Sequence, residues 1–314
     1  MKKVYCIGEL LIDFVAENQG SDLSRAVEFT KKAGGAPANV ACAISKLGGN
    51  SAFIGCVGKD PFGSYLLGIL SDHGVDVSMA QRSDIFTTLA FVSLAEDGER
   101  DFVFSRGADK ELKYQSAIKH EFKDSIVHFG AATALLGGNL ENAYSHYYFD
   151  TLTQNSFISF DPNYRGDLWK GKDEVFIKKC RPFIEKSHLC KFSLEEAQLI
   201  TSRDDVPSAC SELHAMGVQV VAVTLGREGT FVSTPRTQKT VESIKVKAVD
   251  TTGAGDAFIG CLLQQIATLD HAEDILKDDD RLMEMVAIAN RAGAITTTNY
   301  GAIESLPDQD QLKL

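Results

Sequence analysis

This 314-residue sequence is poor in basic charge, with 32 Lys and Arg against 43 Asp and Glu and a net charge of −11. A general nucleic-acid binder presents a basic face, so no nucleic-acid partner is expected. Local binding of a phosphate through backbone amides does not depend on bulk charge and stays open. The seven cysteines (Cys6, Cys42, Cys56, Cys180, Cys190, Cys210 and Cys261) contain no C-x-x-C pair. An odd, scattered set reads as small core residues in a reducing compartment, not as a disulfide framework or zinc site. No run approaches the ~18 apolar residues that a membrane span needs. Glu9 and Asp13 interrupt the apolar stretch that follows Lys2 and Lys3, so a signal core is not expected either. A cytoplasmic protein without a membrane partner is the expectation.

Several catalytic motifs are missing too. Gly58-Lys59 and Gly171-Lys172 are each followed by Asp, so neither completes a G-x-x-x-x-G-K-[ST] phosphate loop. Gly253-Ala254-Gly255 fails the dinucleotide pattern because Phe258 stands at its third glycine position. There is no G-x-S-x-G elbow and no H-E-x-x-H helix. Acyl transfer, zinc hydrolysis and nicotinamide chemistry all lose ground.

What is present alternates regularly. Short apolar runs (Val4 to Ile7, Ala52 to Val57, Ser125 to Phe129, Phe157 to Phe160, His188 to Phe192, Val218 to Thr224) read as strands covered on both faces. Helical patterns lie between them, at Ala38 to Leu47, Phe62 to His73, Glu174 to Glu185, Leu194 to Ile200 and Val206 to Met216. Two more follow, at Ala254 to Ala267 and Leu282 to Thr297. The alternation predicts an α/β fold, a mostly parallel sheet between helical layers, in one domain over residues 1–314. Leu10 to Glu17 and Ile85 to Ser105 break the rhythm as antiparallel strands, the second turning at Glu96-Asp97-Gly98-Glu99. Such additions either close over a ligand or merely extend the sheet. The run Asp278-Asp279-Asp280 reads as a solvated loop.

Three small-residue clusters carry the chemistry. In the first, Gly253-Ala254-Gly255 enters a helical pattern, leaving backbone amides that suit a phosphoryl group, with Asp256 in the first turn. A carboxylate there can take a proton from an attacking hydroxyl, or it can simply complement the helix N-terminus. In the second, Gly34-Gly35-Ala36-Pro37-Ala38-Asn39 opens another helix. Its glycines permit close approach, while Asn39 and Asp13 offer partners to hydroxyl groups, although a plain turn reads equally well. In the third, Asp161-Pro162-Asn163-Tyr164-Arg165 follows a strand end, where ligands gather in doubly wound folds. Arg165 is there either a ligand contact or a surface residue.

Together the clusters resemble the ribokinase-like (PfkB-type) carbohydrate kinases, from about Val4 to Pro307. Gly34-Gly35-Ala36-Pro37-Ala38-Asn39-Val40-Ala41 through Gly58-Lys59-Asp60-Pro61-Phe62-Gly63 is similar to the family's first signature, and Asp250 to Phe258 to its second. The resemblance implies a three-layer α/β/α fold with a small β-flap lid, from about 10–31 and 85–105. It implies Asp256 as catalytic base and Gly253, Ala254 and Gly255 as the anion hole. The sugar would lie against Asp13, Gly34, Gly35 and Asn39, faced by Phe104, Arg106 and Arg165. ATP would lie near Thr224, Gly226, Gly229 and Asn290. Ser193 and Glu196 stand where the family has N-x-x-E, Glu196 serving the water shell of magnesium, and Ser193 departs from the usual Asn. Asp250, Thr252, Gly301 and Ser305 match positions that hold a monovalent cation, usually potassium.

Within the family, the Arg165 segment with Leu168-Trp169 and the stretch from Phe102 to Asp109 look like fructokinases. That implies phosphorylation of the 6-hydroxyl of D-fructose by ATP, giving fructose 6-phosphate and ADP. The alternatives are 2-keto-3-deoxygluconate as the acceptor, with the same fold and mechanism, and a non-catalytic sugar sensor. A homodimer through the lid is the expected assembly.

Overall fold

The computed structural model describes residues 1–17, 22–94 and 100–313. In chain order the strands are β1 (Lys3–Ile7), β2 (Leu11–Ala16), β3 (Phe29–Gly34), β4 (Asn50–Ile54), β5 (Cys56–Gly58), β6 (Gln81–Ser83) and β7 (Leu89–Leu94). There follow β8 (Arg100–Ser105), β9 (Ile126–Gly130), β10 (Phe157–Asp161), β11 (Leu189–Ser193), β12 (Val220–Thr224), β13 (Thr230–Ser233) and β14 (Gln238–Val241). The main sheet has eight strands in the order β14-β13-β12-β11-β10-β9-β1-β4. From β4 to β12 all neighbours are parallel; β13 and β14 run antiparallel at one edge.

Strand β1 shows why these runs are continuously apolar. Val4 and Cys6 point into a core shared with the helices Ala36–Lys46, Ala254–Ile266 and Asp279–Thr296. Tyr5 and Ile7 point into a second core with Gly138–Thr153, Asp173–Lys186 and Val206–Met216. Both faces are covered, so both positions of the two-residue repeat favour apolar side chains. The three-layer α/β/α architecture follows. At the carboxyl edge of this sheet, Glu9, Asp161, Ser193 and Thr224 stand at or just beyond the ends of β1, β10, β11 and β12.

A separate four-stranded sheet, in the order β3-β2-β7-β8, forms the flap. Hairpins β2–β3 and β7–β8 are antiparallel, but β2 and β7 pair in parallel, which corrects the antiparallel expectation for the two segments. The chain between them is long and includes four further strands and two helices, as a parallel crossover requires. The lid bounds change as well: β3 runs to Gly34, and β7 begins only at Leu89. The Thr87 amide, just before it, is tied to Asp60 at 2.7 Å. The proposed turn at Glu96 to Glu99 lies outside the described residues. One flap face packs on the helix Pro61–Asp72, where Phe14 meets Phe62 at 5.9 Å and the Lys31 ammonium sits 3.6 Å from the Tyr65 ring centre.

Other readings shift too. Ala52 to Val57 is two strands, because Phe53 closes against Gly55 and β5 leaves to pair with β6. The acidic run is a helix start and not a loop, since the Asp278 carboxylate accepts from the Arg281 amide and caps Asp279–Thr296. The helix Gly138–Thr153, absent from the sequence reading, buries Tyr144 and Tyr148, which pack on Phe129 and Phe183, and Tyr147, which packs on Phe122. Among the described residues no helix is long and apolar enough to cross a membrane.

Candidate active site

Gly253 begins the helix Ala254–Ile266 with a φ of 78°. A Cβ there would lie 2.6 Å from that of Ala302, so both backbone angle and space require glycine. No side chain caps this helix; the Ala254 amide donates to the Thr251 carbonyl at 3.3 Å, and the amides after it, with the dipole, are available to an anion. Asp256, in the first turn, is buried and accepts a hydrogen bond from Asn39 Nδ2 at 2.8 Å. Burial pushes its carboxyl up to about 6; the Asn39 bond opposes this, Asp161 adds to it, and Lys191 and Arg165 oppose it. That places it in the range where a general base works near neutral pH.

Asn39 comes from the helix Ala36–Lys46, which also starts on a glycine, Gly35, with a φ of 111°. The Ala36 amide donates to Glu9 Oε1 at 3.1 Å. Gly34 admits the Asp13 carboxylate, since a Cβ would meet Asp13 Oδ2 at 2.1 Å. Asn39 Oδ1 and Glu9 Oε2 are buried with no hydrogen-bond partner, a costly state that a bound hydroxyl can relieve. In the flap, register places Asp13 beside Ala90 and Ala90 beside Phe104, so Asp13 and Phe104 share one face. Phe104 stacks on Phe102 at 6.2 Å.

The two arginines are held differently. Arg106 is clamped to buried Asp109 by two bonds, at 3.0 and 2.7 Å, and Asp109 also accepts from the Thr88 hydroxyl. Arg165 is exposed, and its Nη1 donates to the Tyr164 carbonyl at 3.1 Å.

On the other side of the Gly253 turn lies a cavity of about 730 Å³. Thr224, Gly226, Gly229 and Asn290 line it together with Ala254 and Gly255, so six of the expected residues share one chamber. The Asn290 amide builds its wall, accepting from Thr230 Oγ1 at 2.6 Å and donating to the Val241 carbonyl at 2.8 Å. Ser193 and Glu196 form a capping box at the start of the helix Leu194–Thr201. Both Glu196 oxygens accept amides, from Tyr164 and Ser193, each at 2.7 Å. Burial raises its carboxyl, against the pull of Lys191. Asp250 gathers the cation positions: Thr252 N and Oγ1 donate to Oδ1 at 2.9 and 2.6 Å, and Gly301 N to Oδ2 at 3.0 Å. The Ser305 hydroxyl is buried without a partner.

This arrangement, an uncapped glycine turn with a buried acid beside a large cavity, is accompanied by a match to the pfkB family carbohydrate kinases over residues 1–309. The chain belongs to that family. Among its relatives is the probable fructokinase-4 of Arabidopsis thaliana, 38% identical over 99% of this chain and 95% of that protein. A fructokinase double mutant from Vibrio cholerae O395, in a fructose-, ADP- and potassium-bound form, superposes with a TM-score of 0.87 at 30% identity. It covers 99% of this chain and 97% of the other. The Xylella fastidiosa fructokinase with bound ATP gives 0.87 at 29% identity, over 99% and 96% of the two chains.

Sequence reasoning about this kinase missed Glu9 and Lys191. Glu9 was read only as interrupting an apolar stretch. Lys191 stands inside the apolar run Leu189 to Phe192, and a lone charge in a strand buried on both faces was the available signal.

Proposed function

We propose that this kinase transfers the γ-phosphoryl group of ATP to the 6-hydroxyl of D-fructose, giving fructose 6-phosphate and ADP, with Asp256 as general base. The observation that carries this reading is the position of Asp256. It is buried in the first turn of an uncapped helix and hydrogen-bonded to the Asn39 turn on one side, with the large cavity on the other. The sugar would lie on the side of Asp13, Gly34, Gly35 and Asn39, covered by the flap with Phe104, and ATP would fill the cavity. Asp256 then accepts the proton of the attacking hydroxyl as its oxygen bonds to the γ-phosphorus. The bond to the bridging oxygen breaks, and ADP leaves with that electron pair. Amides of the Gly253–Gly255 turn receive the charge on the transferring oxygens. Arg106 serves this site through Asp109 and the flap base, and Arg165, exposed at the strand end, is the arginine free to reach a ligand.

Fructose as the acceptor is supported by the names of the relatives and by the apolar Phe104 beside Asp13. Among the described residues no group of three His, Cys, Asp or Glu side chains suits a directly held metal. Magnesium therefore fits as an ion carried on ATP phosphates, with Glu196 reaching it through water. There it would neutralise phosphate charge. The all-oxygen set of Asp250, Thr252, Gly301 and the orphaned Ser305 hydroxyl fits a monovalent cation, which would add positive charge beside the anion turn. Seven free, buried cysteines suit the cytoplasm. The flap leaves Val15 and Val103 exposed, which supports a homodimer through the lid, and sedimentation at working concentration tests it.

The deciding experiment measures ADP release with magnesium-ATP and potassium across fructose, 2-keto-3-deoxygluconate, ribose, glucose and adenosine. Preference for fructose is expected. Preference for the keto-acid would reassign the acceptor and leave the mechanism standing, and no turnover at all would favour a sensor. In the same assay Asp256→Asn should lower kcat by roughly 10²–10⁴ while fructose still binds. Near-normal turnover would remove Asp256 as the base.

A further inference from the structure

Lys191 projects from β11 into the interior behind the anion turn. Its neighbours in the strand, Cys190 and Phe192, are fully buried, and its own side chain is 8% exposed. Its ammonium pairs with Asp161 at 2.9 Å, and a Cβ at Gly255 would stand 3.2 Å from Nζ. The charge is thus pressed against the backbone of the residue before Asp256. The groups facing it are His128 from β9, Asp161 from β10, Glu196 from the helix Leu194–Thr201, and Asp256 itself. Facing Asp256 are Asn39, Asp161, Lys191 and Arg165.

A buried ion pair contributes little to stability compared with apolar side chains of the same volume. The pair therefore calls for another explanation. Its location supplies one, since three carboxyl groups converge here on one buried ammonium. Without that ammonium, Asp161 would repel charge on Asp256 across a buried site, where such effects are strong.

We propose that Lys191 is a positioning residue of the transfer site, its Asp161-anchored ammonium behind Gly255 keeping Asp256 in its proton-accepting form. This rests on the reading of Asp256 as the base, and the variants below separate the two ideas. Lys191→Met leaves Asp161 unopposed, so the acid limb of kcat/KM for the sugar should move up by about one pH unit. Activity then falls roughly fivefold at pH 6 and stays within about twofold at pH 9, because only protonation of the base is altered. Asp161→Asn leaves the ammonium unopposed, so its limb should move the other way. Lys191→Arg, which keeps the charge, should restore the normal limb.

Opposite shifts from the two partners are the result a merely structural pair would not produce. If Lys191→Met fails to fold, Asp161→Asn still decides, because an unmoved limb there overturns the proposal. An unmoved limb in folded Lys191→Met overturns it as well. If Asp256→Asn is inert while these limbs stay fixed, this inference alone falls. If Asp256→Asn retains turnover, both fall.

Discussion

Two helices of this kinase that pack against each other, Ala36–Lys46 and Ala254–Ile266, each begin on a glycine with positive φ. Gly260 of one helix allows the contact, since a Cβ there would lie 2.6 Å from that of Ala43 on the other. Neither helix has a side-chain cap on its first residue. Yet their N-termini are used differently. At Ala36 the chain fills the end itself, with the Glu9 carboxyl reaching over from beyond β1. At Ala254 no side chain does so, and the end opens on the large cavity. A third helix, Asp279–Thr296, shows the ordinary solution, with Asp278 as a conventional cap. The first end thus holds a binding turn in place, the second is kept for charge that arrives with the substrate, and the third only stabilises.

Three substitutions test this division, in order of expected effect. Gly253→Ala forces a side chain into positive φ and against Ala302, distorting the open end. Its kcat should fall by roughly 10²-fold or more, as on loss of an oxyanion donor. Steady-state kinetics on protein of unchanged circular dichroism reads this, and a normal kcat would refute the anion turn.

Glu9→Gln tests the filled end. Burial pushes the Glu9 carboxyl up to about 7 from an ordinary 4.5, with Asp109 adding to the rise and the Ala36 amide and Arg165 opposing it. The folded state therefore holds this proton more tightly than the unfolded chain. Stability from this group is complete below about pH 4.5, falls as pH rises to about 7, and stays reduced above. Glutamine keeps the acceptor for Ala36 without the charge. Denaturant unfolding at pH 8 should show the variant more stable by about 2–3 kcal/mol, with the gap closing towards pH 4.5. A variant less stable at pH 8 would show that the ionised carboxylate is needed. The smallest effect belongs to Asp278→Ala, which should cost about 1 kcal/mol by the same measurement and leave kcat unchanged.

The elements legible in the sequence were those with a local cause. The parallel strands announced themselves because a strand covered on both faces is mostly apolar. The helix at Asp256 was legible because a glycine turn ahead of a helical pattern has few alternatives. The helix Gly138–Thr153 was not, since its polar-tipped tyrosines hide an apolar face that only Phe129 and Phe183 reveal. Arg106 was read as a sugar contact because its segment fits one, and its ion pair with Asp109, at the end of the same stretch, shows only in the structure.

By itself the sequence determined the alternation of strands and helices, the glycines that positive φ demands, and the placing of a carboxyl group one turn into a helix. These depend on neighbours in the chain, through dihedral preference and side-chain periodicity. The tertiary structure alone decided which charges meet. Glu9 joins Ala36 across 27 residues, Lys191 joins Asp161 across 30, and Asn39 joins Asp256 across 217. Electrostatic energy in a dry interior depends on separation in space, and sequence separation does not fix it.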